Sequence, residues 1–346
     1  MTLPGAHDTL LSTARAHAAA GTWAELRSLL AEQRDAVRAQ PELAVLLAES
    51  LLRAEEPREA LPLLDDALPL LDRNGDRGLL RRCVNLVGAA RFVLGELDAA
   101  QRAFERALEM GRDDEDDLLV ARATNNLALI ANVRGRRDDA LALYQLAIPA
   151  YQRLGDAQGL ATSYHNMAIS YRDMAISSRD AGKLEEADEA ERRAIEYAHT
   201  VGDARLVAIA RVGRAELSLH RGDAELAAAG AGHAARALAG IREPVGEANA
   251  LLVAGKANVR LGRLAEAQTA LDRALALAHD HGNALIKAEA LCARAELAET
   301  TGALERARED AAAALRIYVQ LDAAEERDRL KAWLARLERR GDARAN

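Results

Sequence analysis

A glycine recurs at a nearly constant interval along this chain of 346 residues, and few folds are compatible with that recurrence. Each step is forty residues, except for one of forty-seven. An alanine follows each glycine by five residues and another by twelve, and a small residue precedes it by seven. Such a chain is built from copies of one unit, and each copy buries its apolar face against its neighbours. The glycines are Gly95, Gly135, Gly182, Gly222, Gly262 and Gly302.

The unit is clearest between Ala123 and Ile148. Small and apolar residues there are spaced three and four apart, as on the buried side of a helix, and Arg134-Gly135-Arg136 interrupts the pattern once. We therefore predict a helical hairpin that turns at Gly135. The small residue in its first helix lets the two helix backbones approach closely.

This combination of small residue, turn glycine and two alanines resembles the tetratricopeptide repeat, a helix-turn-helix unit that stacks into a right-handed solenoid. The forty-residue period and the missing terminal proline fit a longer subtype, similar to the repeats of kinesin light chains and of bacterial signal-transducing regulators. Their Asn-Asn-Leu-Ala opening matches residues 125–128. The resemblance implies an all-α fold, a right-handed α-solenoid of about eight hairpins plus a C-terminal capping helix.

We expect one solenoid over residues 1–346, because a uniform repeat overrides the two domains that the length alone would suggest. The first hairpin departs from the pattern, as terminal repeats do. The expected parts are a cap-like hairpin at 5–38, seven further hairpins over 41–320 and a capping helix at 323–340.

Composition restricts the partners. The net charge is −8 with both signs mixed throughout, which argues against nucleic acid, and no apolar run approaches the roughly eighteen residues that span a bilayer. Cys83 and Cys292 lie about five repeats apart, so no disulfide is expected and the compartment is predicted to be reducing and cytoplasmic. The excess of arginine over lysine suggests a bacterial source. A homo-oligomer remains open.

Motifs for catalysis are missing from the sequence. It has no HExxH or paired-cysteine metal motif, no P-loop and no nucleophile in a strand-turn-helix context. The side chains of His279-Asp280-His281 point around a helix end and do not converge, so no metal is expected there. We predict a non-enzyme without a cofactor.

What remains is a binding surface. The resemblance implies that the first helices of successive hairpins line a concave groove that binds segments of other proteins. Asparagine suits such a groove because its amide both donates and accepts, and arginine adds carboxylate recognition. Asn125 and Asn166 have an alternative interpretation, in which they only hydrogen-bond between adjacent helices. The candidates are Arg82, Asn85, Arg122, Asn125, Asn126, Asn132, His165, Asn166 and Arg172.

Two functions follow. The first is a protein-interaction scaffold or adaptor that binds a peptide or partner segment in the groove. The second is a regulatory sensor whose solenoid changes conformation on binding a peptide or a small ligand. The sequence does not identify the partner for either function.

The forty-seven-residue step contains a tandem copy of seven residues, since 167–173 read MAISYRD and 174–180 read MAISSRD. Seven residues turn a helix by about 700°, which is about 20° short of two whole turns, so the buried face is preserved. We predict that the first helix of this hairpin continues to about residue 181 and projects past its neighbours. The second helix, 184–201, should gain nothing.

This copy also suggests a second surface. Tyr171, Met174 and Ile176 are expected on or near the projecting edge, where they would face a partner or a second copy of the chain. The competing interpretation loops the copy out at Ser177-Ser178, because serine is a weak helix former.

Overall fold

The computed structural model describes residues 6–54, 56–74, 76–178, 180–321 and 323–345. Within these ranges the chain forms eighteen helices and no strand, which confirms the all-α prediction. None of these helices combines the length and the apolar character needed to cross a bilayer. In chain order the helices are α1 (Ala6–Ala20), α2 (Trp23–Ala31), α3 (Arg34–Ala39), α4 (Pro41–Arg53), α5 (Pro57–Asn74), α6 (Arg77–Val93), α7 (Leu97–Asp113), α8 (Asp117–Val133), α9 (Arg137–Leu154), α10 (Ala157–Ser178), α11 (Ala181–Thr200), α12 (Ala204–Arg221), α13 (Ala224–Gly240), α14 (Pro244–Arg260), α15 (Leu264–Asp280), α16 (Ala284–Thr300), α17 (Leu304–Gln320) and α18 (Ala324–Ala345).

The contacts divide the chain into two compact units, residues 1–159 and residues 160–346. Inside each unit, consecutive helices pack as antiparallel hairpins in an α-solenoid. The first helices of neighbouring hairpins also touch each other: α4 meets α6 and α6 meets α8 in unit one, while α12 meets α14 and α14 meets α16 in unit two. First helices therefore form one layer of each unit. A single solenoid over the whole chain remains a prediction.

The repeated small residues are buried where the register predicts. All seven alanines five residues past the predicted turns, from Ala60 to Ala307, have no solvent exposure. Seven residues before two of the turns, glycine is required by close packing, because a Cβ on Gly88 would lie 2.5 Å from Phe104 and one on Gly255 would lie 2.5 Å from Leu271. These contacts confirm the predicted close approach of the two helices in a hairpin.

The turn glycines adopt left-handed backbone conformations, with one exception. Gly95, Gly135, Gly222, Gly262 and Gly302 have φ between 70° and 90°, a region that glycine enters without steric cost. The prediction for Gly182 is wrong. This residue lies inside α11, and its N–H donates to Asp180 Oδ1 at 2.9 Å, so the aspartate caps a helix that already begins at Ala181.

Both ends of the chain differ from the expected pattern. The second helix of the first hairpin is broken near Glu32-Gln33 into α2 and α3, which makes eighteen helices and not about seventeen. Leu26 and Leu30 of α2 are fully buried, as are most residues of α4 that face them. At the other end α18 begins within a residue of the expected capping helix but continues to Ala345.

Residues 174–178 of the seven-residue copy continue α10, which ends at Ser178 and so falls about three residues short of the predicted end near residue 181. Both helices of the hairpin are longer than those of other hairpins. Helix α10 has 22 residues and α11 has 20, where the hairpin α6–α7 has 17 in each helix. The looped-out interpretation is therefore wrong, and so is the expectation that the second helix gains nothing, since α11 begins at Ala181. Because Asp180 is a good capping residue, it starts α11 three residues early.

Two turns between hairpins carry a strained residue where three others carry glycine. Glu115 and Arg242 have φ of 54° and 58°, and they occupy the register of Gly155, Gly202 and Gly282, whose φ values are also positive. A side chain in this region costs about 1 kcal/mol or more. We expect Glu115→Gly and Arg242→Gly each to raise the free energy of unfolding by about 1 kcal/mol in urea titrations.

The matched controls for this prediction are Gly155→Ala and Gly202→Ala, which should lower the free energy of unfolding by a similar amount. A different result would be that glycine at residues 115 and 242 has no stabilising effect while the alanine controls destabilise. In that case, contacts made by the Glu115 and Arg242 side chains offset the cost of their positive φ.

Candidate functional site

In unit one, the candidate side chains form links between neighbouring first helices. Arg82 on α6 donates from Nε to Glu49 Oε2 of α4 at 2.9 Å. Asn126 on α8 donates from Nδ2 to Asn85 Oδ1 of α6 at 3.3 Å. Arg122 is more than half exposed and reaches Asp156 only at 4.0 Å. These contacts place four of the candidates along one layer of first helices.

Asn125 and Asn166 are less accessible than a ligand-contacting role would require, whereas Asn132 is half-buried, as Asn126 is. Asn125 and Asn166 are 6% and 8% exposed, and the Oδ1 atom of Asn132 is buried without a hydrogen-bond partner. Burial of this kind favours the alternative in which Asn125 and Asn166 act between helices, because a buried amide needs internal partners. Their roles in binding remain proposals.

Two exposed valines stand at the C-terminal ends of the two helices that carry the accessible candidates. Val93 is the last residue of α6 and Val133 the last residue of α8, and they are 63% and 59% exposed. They recur at one repeat register, two residues before the turn glycines, and the sequence reasoning did not single them out. Together with Arg82, Asn85, Arg122 and Asn126, they define what we call the first-helix face of unit one.

In unit two, α10 carries two basic side chains that are bonded to buried or half-buried carboxylates. His165 Nδ1 lies 2.9 Å from Glu191 Oε2 and 3.1 Å from Oε1, both on α11. One heptad further along α10, Arg172 pairs with Glu216 of α12. Both basic side chains reach neighbouring helices, so α10 is joined to α11 through His165 and to α12 through Arg172.

Glu191 is the least expected of these residues, because it is a carboxylate at only 2% exposure. It lies nine residues past Gly182, a register at which the other glycine-turn hairpins carry an apolar residue, either large or alanine: Phe104, Tyr144, Ala231, Leu271 and Ala311. Gly213 on α12 makes room for it, since a Cβ there would lie 2.1 Å from Glu191 Oε1. The absence of a side chain at Gly213 therefore leaves the space that the buried Glu191 carboxyl group occupies.

The electrostatics of the pair follow from burial and proximity. Burial disfavours the charged form of His165, but the adjacent Glu191 carboxylate outweighs that effect and raises the imidazole pKa above its ordinary value. Burial also disfavours the charged form of Glu191, and for a carboxyl group this raises the pKa. The neighbouring His165 lowers the Glu191 pKa but does not outweigh burial. The pair therefore holds its proton more tightly than the separate groups would in water.

Further along the first helices of unit two, charges of both signs alternate. Lys256 on α14 lies 2.7 Å from Glu289 on α16, and Arg260 donates to the Leu219 carbonyl oxygen. Burial raises the pKa of Glu296, which Lys256 and Arg260 partly counteract. With most cations already paired inside the protein, this part of unit two shows no single charge preference for a ligand.

Where the structure describes their burial, most side chains of residues 167–180 are buried or half-buried. Tyr171 and Met174 are half-buried, and the Lys183 ammonium lies 5.2 Å from the Tyr171 ring centroid. Ile176 alone of the three named residues is well exposed, at 48%. A role for this edge in binding a partner remains a proposal.

Glu191 could have been found from the sequence. Its neighbours on the buried stripe of α11 are Ala187, Ala190 and Ala194, so a helical reading places the glutamate inside the stripe. A charged residue at a core position normally has a partner, and this signal went unused. Among the described residues, no group of three or more side chains is arranged to hold a metal ion.

Comparison with known proteins gives likeness at the level of structure. No protein-family model and no curated protein matches the sequence. A Rap protein complexed with competence and sporulation factor has a TM-score of 0.65 at 14% identity, covering 96% of this chain and 98% of that one. The apo form of the quorum sensor NprR from B. thuringiensis has a TM-score of 0.59 at 13% identity, covering 95% and 98%.

A further likeness is to NprR in complex with its cognate peptide NprX, with a TM-score of 0.58 at 14% identity over 85% of this chain and 81% of that one. At these identities the likeness concerns the fold. Together with the register of buried alanines and turn glycines, it shows that the chain has a tetratricopeptide-repeat-like fold.

Proposed function

We propose that this protein is a non-catalytic scaffold that binds an extended peptide segment of a partner along the first-helix face of unit one. The observation that carries the proposal is the arrangement of amide, guanidinium and exposed apolar groups on α6 and α8. Asn85 and Asn126 bond to each other at 3.3 Å, and each amide keeps further donors or acceptors for a peptide backbone.

The charges and apolar groups add specificity to this face. Arg122 is 54% exposed and only loosely associated with Asp156, so an incoming carboxylate can take over its guanidinium. Val93 and Val133 offer apolar contact at equivalent positions of two successive hairpins. We therefore propose a peptide that combines an acidic residue with apolar side chains.

The alternative is a sensor in which the bound peptide changes the conformation of the solenoid. The likeness to the quorum sensor NprR, whose structures include an apo form and a complex with a cognate peptide, favours this reading. A scaffold and a sensor would bind the same class of ligand. They differ in whether the peptide alone changes the solution dimensions of the protein.

The test begins with a random peptide library displayed on phage and selected on the full chain. The tightest peptide is then titrated against Arg122→Ala, Asn126→Ala and Val133→Ala. We expect each change to weaken binding, by roughly tenfold for Arg122→Ala, since about 1.4 kcal/mol corresponds to a factor of ten. Small-angle scattering with and without the peptide then separates sensor from scaffold.

Matched controls lie on second helices. Arg102→Ala on α7 and Gln145→Ala on α9 remove an exposed guanidinium and an exposed amide without touching the first-helix face. Equal losses in both sets, or none in the first set, would contradict the proposed site.

A further inference from the structure

Three pairs of neighbouring first helices are joined by an ion pair at the same repeat register. One partner stands six residues before the predicted turn of its hairpin, and the other stands thirteen residues before the turn of the next hairpin. Either partner can carry the positive charge, so the pairing follows from how first helices pack and not from one sequence motif. The three pairs are Arg15–Glu42 at 2.6 Å, Glu49–Arg82 at 2.9 Å and Lys256–Glu289 at 2.7 Å.

The junction between α6 and α8 in unit one carries only one half of this pair. Arg122 occupies the later position, on α8, but the earlier position, on α6, is Ala89. Ala89 is half-buried, as Glu49 and Lys256 are, so this register accommodates a long charged side chain elsewhere in the chain. Among the described residues Arg122 forms one ion pair, with Asp156 at 4.0 Å. The carboxylate that α4 supplies to α6 therefore has no counterpart on α6 for α8.

One other junction also carries only one half of the pair, and there an internal partner replaces the missing half. Between α12 and α14 the later position is Asn249, and Glu216 at the earlier position binds Arg172 of α10 instead. Both of these charged side chains are half-buried, whereas Arg122 is more than half exposed. The α6–α8 junction therefore leaves a guanidinium available to a carboxylate from outside the protein.

The groups around Ala89 suit both the side chain and the backbone of a peptide. Asn85, Ala89 and Val93 follow each other at intervals of four residues, so they lie along one side of α6. Asn126 lies one turn beyond Arg122 on α8, and its bond to Asn85 shows that the two helices approach each other here. An acidic side chain above Ala89 has these amides on one side, for the peptide backbone, and the exposed Val93 on the other.

We propose that an acidic side chain of the peptide partner takes the place left by Ala89 and pairs with Arg122. The protein contains its own example in Glu49, which pairs with Arg82 one hairpin earlier. The inference rests on the proposed function and deepens it, because it assigns the acidic residue of the peptide to the α6–α8 junction. It also makes Glu49 an internal occupant of the equivalent position between α4 and α6, which closes that position to the peptide.

The first experiment uses the protein alone. Ala89→Glu supplies the missing carboxylate from the chain itself, and a crystal structure of this variant should show the new carboxylate within about 4 Å of the Arg122 guanidinium. A guanidinium that stays beside Asp156 would overturn the proposal, because Arg122 would then not reach the place assigned to the peptide carboxylate. Since no peptide is needed, this result does not depend on the proposed function.

The second experiment uses the phage-selected peptide and copies of it in which each acidic residue is replaced in turn by its amide. In the wild type, one of these replacements should raise the Kd about tenfold, because it removes the ion pair with Arg122. Ala89→Glu should bind the acidic peptide about tenfold more weakly and should not prefer it over the amide copy. Ala89→Gln, which has the same size without the charge, should keep the wild-type preference, and circular dichroism should show that both variants are folded.

A second phage selection tests the internal occupant. Glu49→Gln frees Arg82, so selection on this variant should enrich peptides with one more acidic residue than selection on the wild type. Glu109→Gln, which removes an exposed carboxylate from α7, is the matched control and should not change the number of acidic residues. The same number in peptides selected on Glu49→Gln and on the wild type would contradict the equivalence of the two junctions.

The remaining outcomes separate this inference from the scaffold function. Gln145→Glu on α9 adds a charge away from the face and should keep the preference for the acidic peptide, which controls for long-range repulsion. A preference lost in Ala89→Gln as well, or kept in Ala89→Glu, would overturn the inference and leave the scaffold standing. If no peptide binds the wild type, the scaffold function fails and the assigned carboxylate contact fails with it.

Discussion

Replacing Leu330 and Leu337 together by alanine is expected to lower the free energy of unfolding by about 5 kcal/mol. The two side chains are 4% and 0% exposed, and they are the points at which α18 covers the last hairpin. A buried Leu→Ala change costs about 2–5 kcal/mol, and the two positions lie two helical turns apart, so their effects should add.

Urea denaturation followed by circular dichroism measures this loss, and dye binding to exposed apolar surface reports the uncovered hairpin. Lys331→Ala and Arg336→Ala, on the exposed side of the same helix, are the controls and should change stability by less than about 0.5 kcal/mol. A double variant as stable as these controls would show that α18 does not act as a cap.

The second large effect is expected at the buried ion pair. His165→Leu should lower the free energy of unfolding by about 3 kcal/mol at pH 7, because it leaves the Glu191 carboxylate without a partner and forces it to take up a proton. Glu191→Leu should change stability by less than about 1 kcal/mol, since it leaves a half-buried ring that can be neutral and restores the apolar residue typical of this register.

The pH dependence has a definite sign. A raised imidazole pKa means that the stabilisation from His165 is complete below 6.5 and is lost as pH rises through the folded-state value. In His165→Leu the penalty from Glu191 shrinks on acidification, because protonating the buried carboxyl group costs about 1.4 kcal/mol less for each unit by which the pH falls, down to the Glu pKa of about 4.3 in the unfolded state. The loss at pH 5 should be about 2 kcal/mol smaller than at pH 7. Thermal and urea melts at the two pH values check this, and equal losses for both leucine variants would contradict it.

Features that depend on spacing within one helix can be predicted from the sequence more readily than features that depend on competing residues or on packing between helices. The burial of Ala100 or Ala140 follows from helical spacing and a recurring register, so both were predictable. The position of the turn near Gly182 was not, because it depends on whether Asp180 or Gly182 determines the boundary, and the aspartate cap prevailed.

The candidate site was harder to predict than the fold. Asn125 and Asn126 are neighbours in sequence, yet one is buried and the other half-exposed, and their accessibility depends on how closely the next hairpin packs. The burial of Glu191 depends on Gly213 of α12, which leaves room for the carboxyl group. This is a contact between different hairpins, which the sequence does not reveal. Val93 and Val133 gave no polar signal, although their exposure makes them the most accessible apolar groups at the ends of α6 and α8.

The way α10 and α11 divide seven extra residues has a consequence for how such a chain can change in length during evolution. A whole heptad turns a helix nearly back to its starting orientation, whereas five added residues would leave the following side chains about 140° away from the buried stripe. Insertions that survive inside a hairpin should therefore come in sevens. Related chains should differ in hairpin length by heptads, while residues added between hairpins face no such restriction.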